Sequence, residues 1–193
     1  MVVFLGVPED EVSDQQFTHH QLLQDYSAPL GNGNNMFVSV SAAGDTASAP
    51  PGFRTVMLST HCDLDEWESL SPGKYQQQKT QIGQRLVALS RRVYPRLGMN
   101  ARVFEVGTPR TFERFTHRPE GAVGGVRQML CNANQKSVPH DVGVPGFRQV
   151  GDTTWPGLGT VACVLGSRIA AEGIVRQARH LARTSSRSLS RER

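Results

Sequence analysis

The sequence predicts a mixed α/β fold of the α+β kind, with antiparallel strands in its first part and a strand-loop-helix unit at its end. Three observations carry that expectation. Short β-rich apolar runs recur at residues 1–7, 36–41 and 54–62, a long amphipathic segment begins at Ser71-Pro72, and a glycine-rich turn at 151–159 leads into a second helical stretch. The length of 193 residues predicts one compact unit. A hydrophobic content of 38%, a charged content of 20% and a mean hydropathy of −0.36 exclude a bulk-disordered chain, a collagen and an integral membrane protein as global classes.

The chain opens on MVVFLGV (residues 1–7), a strand with no turn or capping segment ahead of it, so an upstream segment is expected. Residues 20–26 read as a strand or a short helix. A Gly/Asn turn at 31–35 precedes a strand at 36–41, in which Phe37 and Val40 are apolar. Residues 42–52 (AAGDTASAPPG) form a surface loop, and 54–62 (RTVMLSTHC) pairs with 36–41 as an antiparallel hairpin across it. Pro72 occupies the first position of the strongest helix. Tyr75, Ile82, Leu86, Leu89 and Val93 recur there at spacings of seven, four, three and four, and Pro95 follows the end. This is an amphipathic cover helix.

Residues 101–106 read as a strand, and Thr108-Pro109 caps a short helix running through Phe115. Gly121, Gly124 and Gly125 break regular structure, 130–146 is a polar loop, and 147–150 is a brief strand. From Thr160 a helix runs toward Arg183, followed by a disordered Arg/Ser tail at 184–193.

The net charge of +4 is unevenly placed. From Arg168 onward seven arginines face only Glu172 and Glu192, so the remainder of the chain is near neutral and the basicity belongs to the C-terminal end. Apolar stretches such as 161–165 fall far short of the roughly 20 residues a membrane helix needs. Residues 1–7 lack the charged start and cleavage site of a signal peptide, so cytoplasmic residence is the expectation. Cys62, Cys131 and Cys163 are odd in number and scattered without a CxxC pair, which predicts reduced thiols and no zinc site.

Chemistry concentrates in Val150-Gly151-Asp152-Thr153-Thr154-Trp155-Pro156-Gly157-Leu158-Gly159-Thr160. A helix start leaves backbone N–H groups without intrahelical partners and carries about half a positive charge. Gly157 and Gly159 remove Cβ atoms where a flat ligand or an anion comes close, and Asp152 accepts hydrogen bonds from hydroxyls such as a ribityl chain. Gly157-x-Gly159-x-x-Ala162 fits a loose dinucleotide fingerprint, but neither the later acidic residue nor a second strand follows. The other interpretation is a glycine turn that only lets a helix pack closely.

The stretch resembles the C-terminal flavin-binding motif, approximately VGD[ST]xxPGxG, of the carotenoid desaturase and isomerase group of FAD-dependent oxidoreductases, the phytoene dehydrogenase-related enzymes. A second block agrees: Gly107-Thr108-Pro109-Arg110-Thr111-Phe112-Glu113-Arg114-Phe115-Thr116, then Gly121-Ala122-Val123-Gly124-Gly125, is similar to the TPxTFERFT…GxxGG block of that group. Residues 34–41 (NNMFVSVS) are similar to a segment of carotenoid C-3',4' desaturases. The resemblance covers residues 1–178. It implies the C-terminal portion of a two-domain FAD-dependent amine-oxidase/phytoene-desaturase-like fold whose N-terminal GxGxxG unit is not present here. Residues 1–145 would be mainly substrate domain, 146–183 the last strand-loop-helix of the flavin domain, and 184–193 the tail. Leu165-Gly166-Ser167 stands where such enzymes commonly have Leu-Ser-Gly, which shifts the small residue by one position.

The same resemblance implies a cofactor, FAD, and a long carotenoid polyene as substrate, desaturated by hydride transfer to the flavin. Carotenoid isomerase, or a truncated non-catalytic fragment or partner subunit, are the alternatives. Gly151, Asp152, Pro156, Gly157, Gly159, Thr160 and Val161 would hold the cofactor: Asp152 at the ribityl chain or a nearby phosphate, and the 159–161 backbone N–H groups at the flavin N1 and C2 carbonyl. A helix start stabilises negative charge arising near N1. No protein acid/base pair is expected, since the flavin carries the redox chemistry. Thr108, Pro109, Phe112, Gly124 and Gly125 would line the cavity near the flavin, although Phe112 also reads as a core side chain.

Other constellations carry less. Adjacent His19 and His20 in a strand face opposite sides, and His61 and Cys62 find no further ligand at metal spacing. Asp63, Asp65, Glu66 and Glu68 lack the calcium-loop pattern and read as a solvated loop, while Arg110, Glu113 and Arg114 read as surface or local ion-pair residues. Ser59, Ser90 and Ser167 lack a nucleophile-elbow context. Arginines 176, 179, 183, 187 and 191 would form a basic stripe suited to peripheral contact with anionic lipid, or a solubilising tail. Nucleic acid is not expected: there is no RNP motif, and an aromatic content of 7% supplies few stacking platforms.

Overall fold

The structure, a computed structural model, describes residues 1–125 and 138–189, with side chains described as far as Ala182. Cys131, residues 130–137 of the expected polar loop and residues 190–193 of the tail lie outside the described residues. The chain divides into two compact units, Met1–Ala122 and Val123–Arg193, rather than the one that its length predicts. The first closes its own core between a sheet and a helix, and the second is organised about one long helix.

In the first unit, β1 (Val2–Pro8), β2 (His19–Leu23), β3 (Asn35–Val40), β4 (Phe53–Ser59) and β5 (Val103–Gly107) form one antiparallel sheet in the order β2-β3-β4-β1-β5. The expected β3–β4 hairpin forms with Phe37 opposite Ser59 and Ser39 opposite Met57. The first strand lies between β4 and β5, with Phe4 opposite both Met57 and Glu105.

Alternation assigns the two faces. Val3, Leu5, Val7, Met36, Val38, Val56 and Leu58 are buried on the inner face. They share a core with Tyr75, Ile82, Leu86, Val87 and Leu89 of α2 (Pro72–Ser90), whose apolar positions follow the sequence spacing. Burying each such side chain contributes about 1.5–3 kcal/mol. At Gly83 an added Cβ would stand 2.9 Å from Val106 Cγ2, so this glycine lets α2 approach β5 closely.

The acidic run expected as a loop instead forms α1 (Leu64–Glu68). The Asp63 carboxylate accepts from the Asp65 N–H at 3.0 Å, and Trp67 is buried beneath it, 5.1 Å ring to ring from Tyr75. Helix α3 (Pro109–Thr116) starts at a reciprocal cap between Thr108 and Thr111, as the Thr-Pro pair predicts. At Gly121 (φ 68°) an added Cβ would overlap the Pro109 carbonyl, so the turn after α3 requires glycine.

In the second unit the strand expected at 147–150 is not formed. A strand needs a hydrogen-bonding partner, and among the described residues this segment has none in a ladder; the pairing found there is an isolated parallel bridge of Val138 with Thr154. Helix α4 (Thr160–Leu189) begins where the glycine turn predicts, but continues beyond Arg183, so residues 184–189 are helical rather than tail.

Candidate functional site

The glycine-rich loop ahead of α4 is held from both sides. Thr154 is buried, its hydroxyl donates to the Gly151 carbonyl at 2.9 Å, and the Trp155 N–H donates to the Val138 carbonyl at 3.0 Å. Gly125 lies against the loop so closely that an added Cβ would stand 2.9 Å from Thr153 Cα and 3.1 Å from the Asp152 carbonyl oxygen. Gly124 (φ 92°) faces the Leu158 side chain. The last two glycines of the second block, Gly124 and Gly125, therefore meet the glycine-rich loop within the second unit.

Gly166 gives the helix its closest approach, with an added Cβ 3.1 Å from both the Trp155 carbonyl oxygen and His140 Cε1. The shifted small residue in Leu165-Gly166-Ser167 thus sits where the packing needs it. His140 Nδ1 is 2.9 Å from the Gln149 carbonyl, tying the preceding loop together.

The other glycines are open. Gly151, Gly157 and Gly159 have φ of 138°, 114° and 110°, and an added Cβ at each would meet nothing within 4 Å. Their glycine character answers to backbone conformation and leaves a bare main-chain surface facing outward. Asp152 and Pro156 are half-buried beside it, and Thr160 and Val161 are exposed at the helix start. The Gly159 carbonyl accepts from the Cys163 N–H at 2.9 Å, so the N–H groups of Thr160 and Val161 precede the first intrahelical donor. Such a surface presents donors and partial positive charge to a flat, electron-rich ligand.

Of the expected lining residues, Thr108, Pro109 and Phe112 fall in the first unit and Gly124 and Gly125 in the second. Thr108 is buried and accepts from the Tyr75 hydroxyl at 2.5 Å; Pro109 is buried at the first turn of α3. Phe112 is half-buried, its ring edge against Gly107. Arg110 stacks on the Tyr75 ring, 4.1 Å to the centroid, and pairs with no carboxylate among the described residues.

The sheet adds residues that sequence patterning passes over. Phe4, Phe37, Met57 and Val103 are 40–50% exposed on the outer face, opposite α2. A shallow cavity of about 650 Å³ on that face is lined by Phe4, Met57 and Val103, with His19, Ser39 and Thr55 at its margin. The signal was present: MVVFLGV is apolar at successive positions, a pattern of strands covered on both faces. His19 and His20 do diverge, His19 toward this cavity and His20 to the Tyr94 hydroxyl at 3.1 Å.

No model of a known protein family matches the chain. Among curated proteins, the chloroplastic prolycopene isomerase of Arabidopsis thaliana is 27% identical over 165 residues, covering 83% of this chain and 27% of that protein. The chloroplastic prolycopene isomerase of Daucus carota is 26% identical over 165 residues, covering 83% and 26%. Prolycopene isomerase 2 of an Oncidium hybrid cultivar is 26% identical, covering 83% and 28%. The chain therefore spans about a quarter of the length of the curated relatives it matches. Over those residues the chain is thus distantly similar to prolycopene isomerases, at 26–27% identity.

Proposed function

We propose that this chain is the C-terminal part of an FAD-dependent enzyme that isomerises a carotenoid polyene, completed by an N-terminal flavin-binding half. The supporting observation is the contact of Gly125 with Asp152 and Thr153, which sets the closing glycines of one motif block against the loop of the other beside a helix start. Because the relatives are prolycopene isomerases, isomerisation takes precedence over the desaturation expected from the sequence.

The residues present suit the ring end of the cofactor. Asp152 would accept hydrogen bonds from the ribityl hydroxyls, and the bare backbone at Gly151, Gly157 and Gly159 would admit a flat ring with Pro156 beside it. The N–H groups of Thr160 and Val161 would donate to that ring, favouring negative charge there. A bound flavin supplies a reversible reservoir of electrons to the polyene. In the first unit the outer sheet face offers Phe4, Phe37, Met57 and Val103 to a long apolar chain. Thr108 and Pro109 fix the start of α3, and Phe112 lies beside Gly107.

The test mixes the chain with the N-terminal half of a prolycopene isomerase relative, FAD and prolycopene, and follows product by chromatography and mass. An isomer of unchanged mass is expected. A dehydrogenated product would restore desaturation, and unaltered prolycopene would contradict both.

A further inference from the structure

We propose that His61 donates a hydrogen bond to an oxygen at one end of the apolar chain taken by the outer sheet face, so that an oxygenated end is preferred to a hydrocarbon one. The proposal rests on the polyene reading of that face and adds a residue that selects among such chains. The register sets the track. Val103 stands opposite Gly6, Phe4 opposite Met57, and Phe37 opposite Ser59, two residues further along. With strands about 4.8 Å apart and about 6.7 Å between same-face neighbours, Val103, Phe4, Met57 and Phe37 form a diagonal apolar band roughly 20 Å long. His61 closes that band, its ring 6.3 Å from the Phe37 ring and inclined at 66°.

The turn before β3 fixes the imidazole. The Asn32 N–H donates to the His61 carbonyl at 2.8 Å, and an added Cβ at Gly31 (φ 118°) would stand 3.3 Å from the same oxygen. Asn35 is 3% exposed, and its Oδ1 accepts from the Gly31 N–H at 2.7 Å. That bond assigns the amide, so Nδ2 is a donor, and it lies 2.8 Å from His61 Nδ1. Nδ1 is therefore the acceptor, which places the proton of the neutral ring on Nε2. His61 is exposed, and its Nε2 has no partner among the described residues. A chain lying along the band displaces water from this N–H. A hydrocarbon end leaves the donor unpaired, whereas an oxygen replaces the lost water.

The test gives the purified chain three neutral probes of equal length: a conjugated octadecatetraene, its terminal alcohol and its methyl ether, each followed by the rise in polyene fluorescence on leaving water. The alcohol and the ether both carry an acceptor oxygen and are expected to bind about fivefold tighter than the hydrocarbon. His61→Phe keeps a ring beside Phe37 without the donor, and should bring all three probes to the affinity of the hydrocarbon. Nitrogen NMR of the free chain in alkaline buffer should show His61 protonated at Nε2. A ring proton on Nδ1, or preference for the alcohol alone, would overturn the donor assignment. Equal binding of the three probes, or a preference that survives His61→Phe, would remove the selection and leave the polyene face standing. No binding of any probe, or displacement of all three by a separately expressed flavin-binding half, would overturn that face and this proposal with it.

Discussion

Gly125 is the residue on which the second unit turns, because the atoms it meets are backbone and cannot rotate away. Gly125→Ala is expected to cost about 1–3 kcal/mol and to weaken flavin binding, read by thermal melting and FAD titration of one preparation. Unchanged melting and binding would show that Gly125 does not position Asp152. In the first unit Glu11 is 2% exposed, and its carboxylate accepts from the N–H groups of Gly98 at 2.7 Å and Asn100 at 2.6 Å. Glu11→Ala strands both donors and should cost about 3 kcal/mol in urea unfolding. Burial holds the Tyr94 phenol above its usual pKa of 10.0, the Arg54 charge opposing this in part. A raised folded-state pKa contributes stability that is complete below the unfolded value and lost as pH rises through the folded one. Stability should therefore fall above pH 10.0, and Tyr94→Phe should flatten that alkaline limb.

At the scale of elements, local pattern is legible and long-range pairing is not. The spacing of Ile82, Leu86 and Leu89 specifies α2, and Leu86→Ala, at a fully buried position, should cost about 3 kcal/mol by denaturant midpoint. A cost below about 1 kcal/mol would mean that α2 is not the core's cover. Thr108-Pro109 specifies α3, and the hairpin of β3 and β4 follows from two β-rich runs around a loop. Nothing local places β1 between β4 and β5, because that order depends on pairs up to about a hundred residues apart. Residues 147–150 have strand composition without a ladder, and composition alone cannot provide a partner. Helix α1 hides in acidic residues that serve its N-terminus: Asp63 caps it, and Asp65 and Glu66 occupy its first turn.

For the whole molecule, the candidate site is legible because each of its two motif blocks is a short stretch of sequence that is conformationally demanding. Three open glycines at positive φ and one, Gly125, pressed against backbone are constraints that residue type reveals. The apolar outer sheet face is less legible, since a strand that is apolar throughout does not say what covers its second face. Two units that each organise their own contacts, spanning a quarter of the relatives' length, place the flavin question on the second unit. The most direct measurement is an FAD titration of the purified chain, alone and mixed with a GxGxxG-bearing half, following flavin fluorescence with Asp152→Ala as control. Quenching in the mixture that falls at least about tenfold in affinity for Asp152→Ala is the expected result, as removal of a charged hydrogen-bond acceptor requires. Fluorescence unchanged in both settings, or quenching indifferent to Asp152, would contradict a flavin-holding role for this loop.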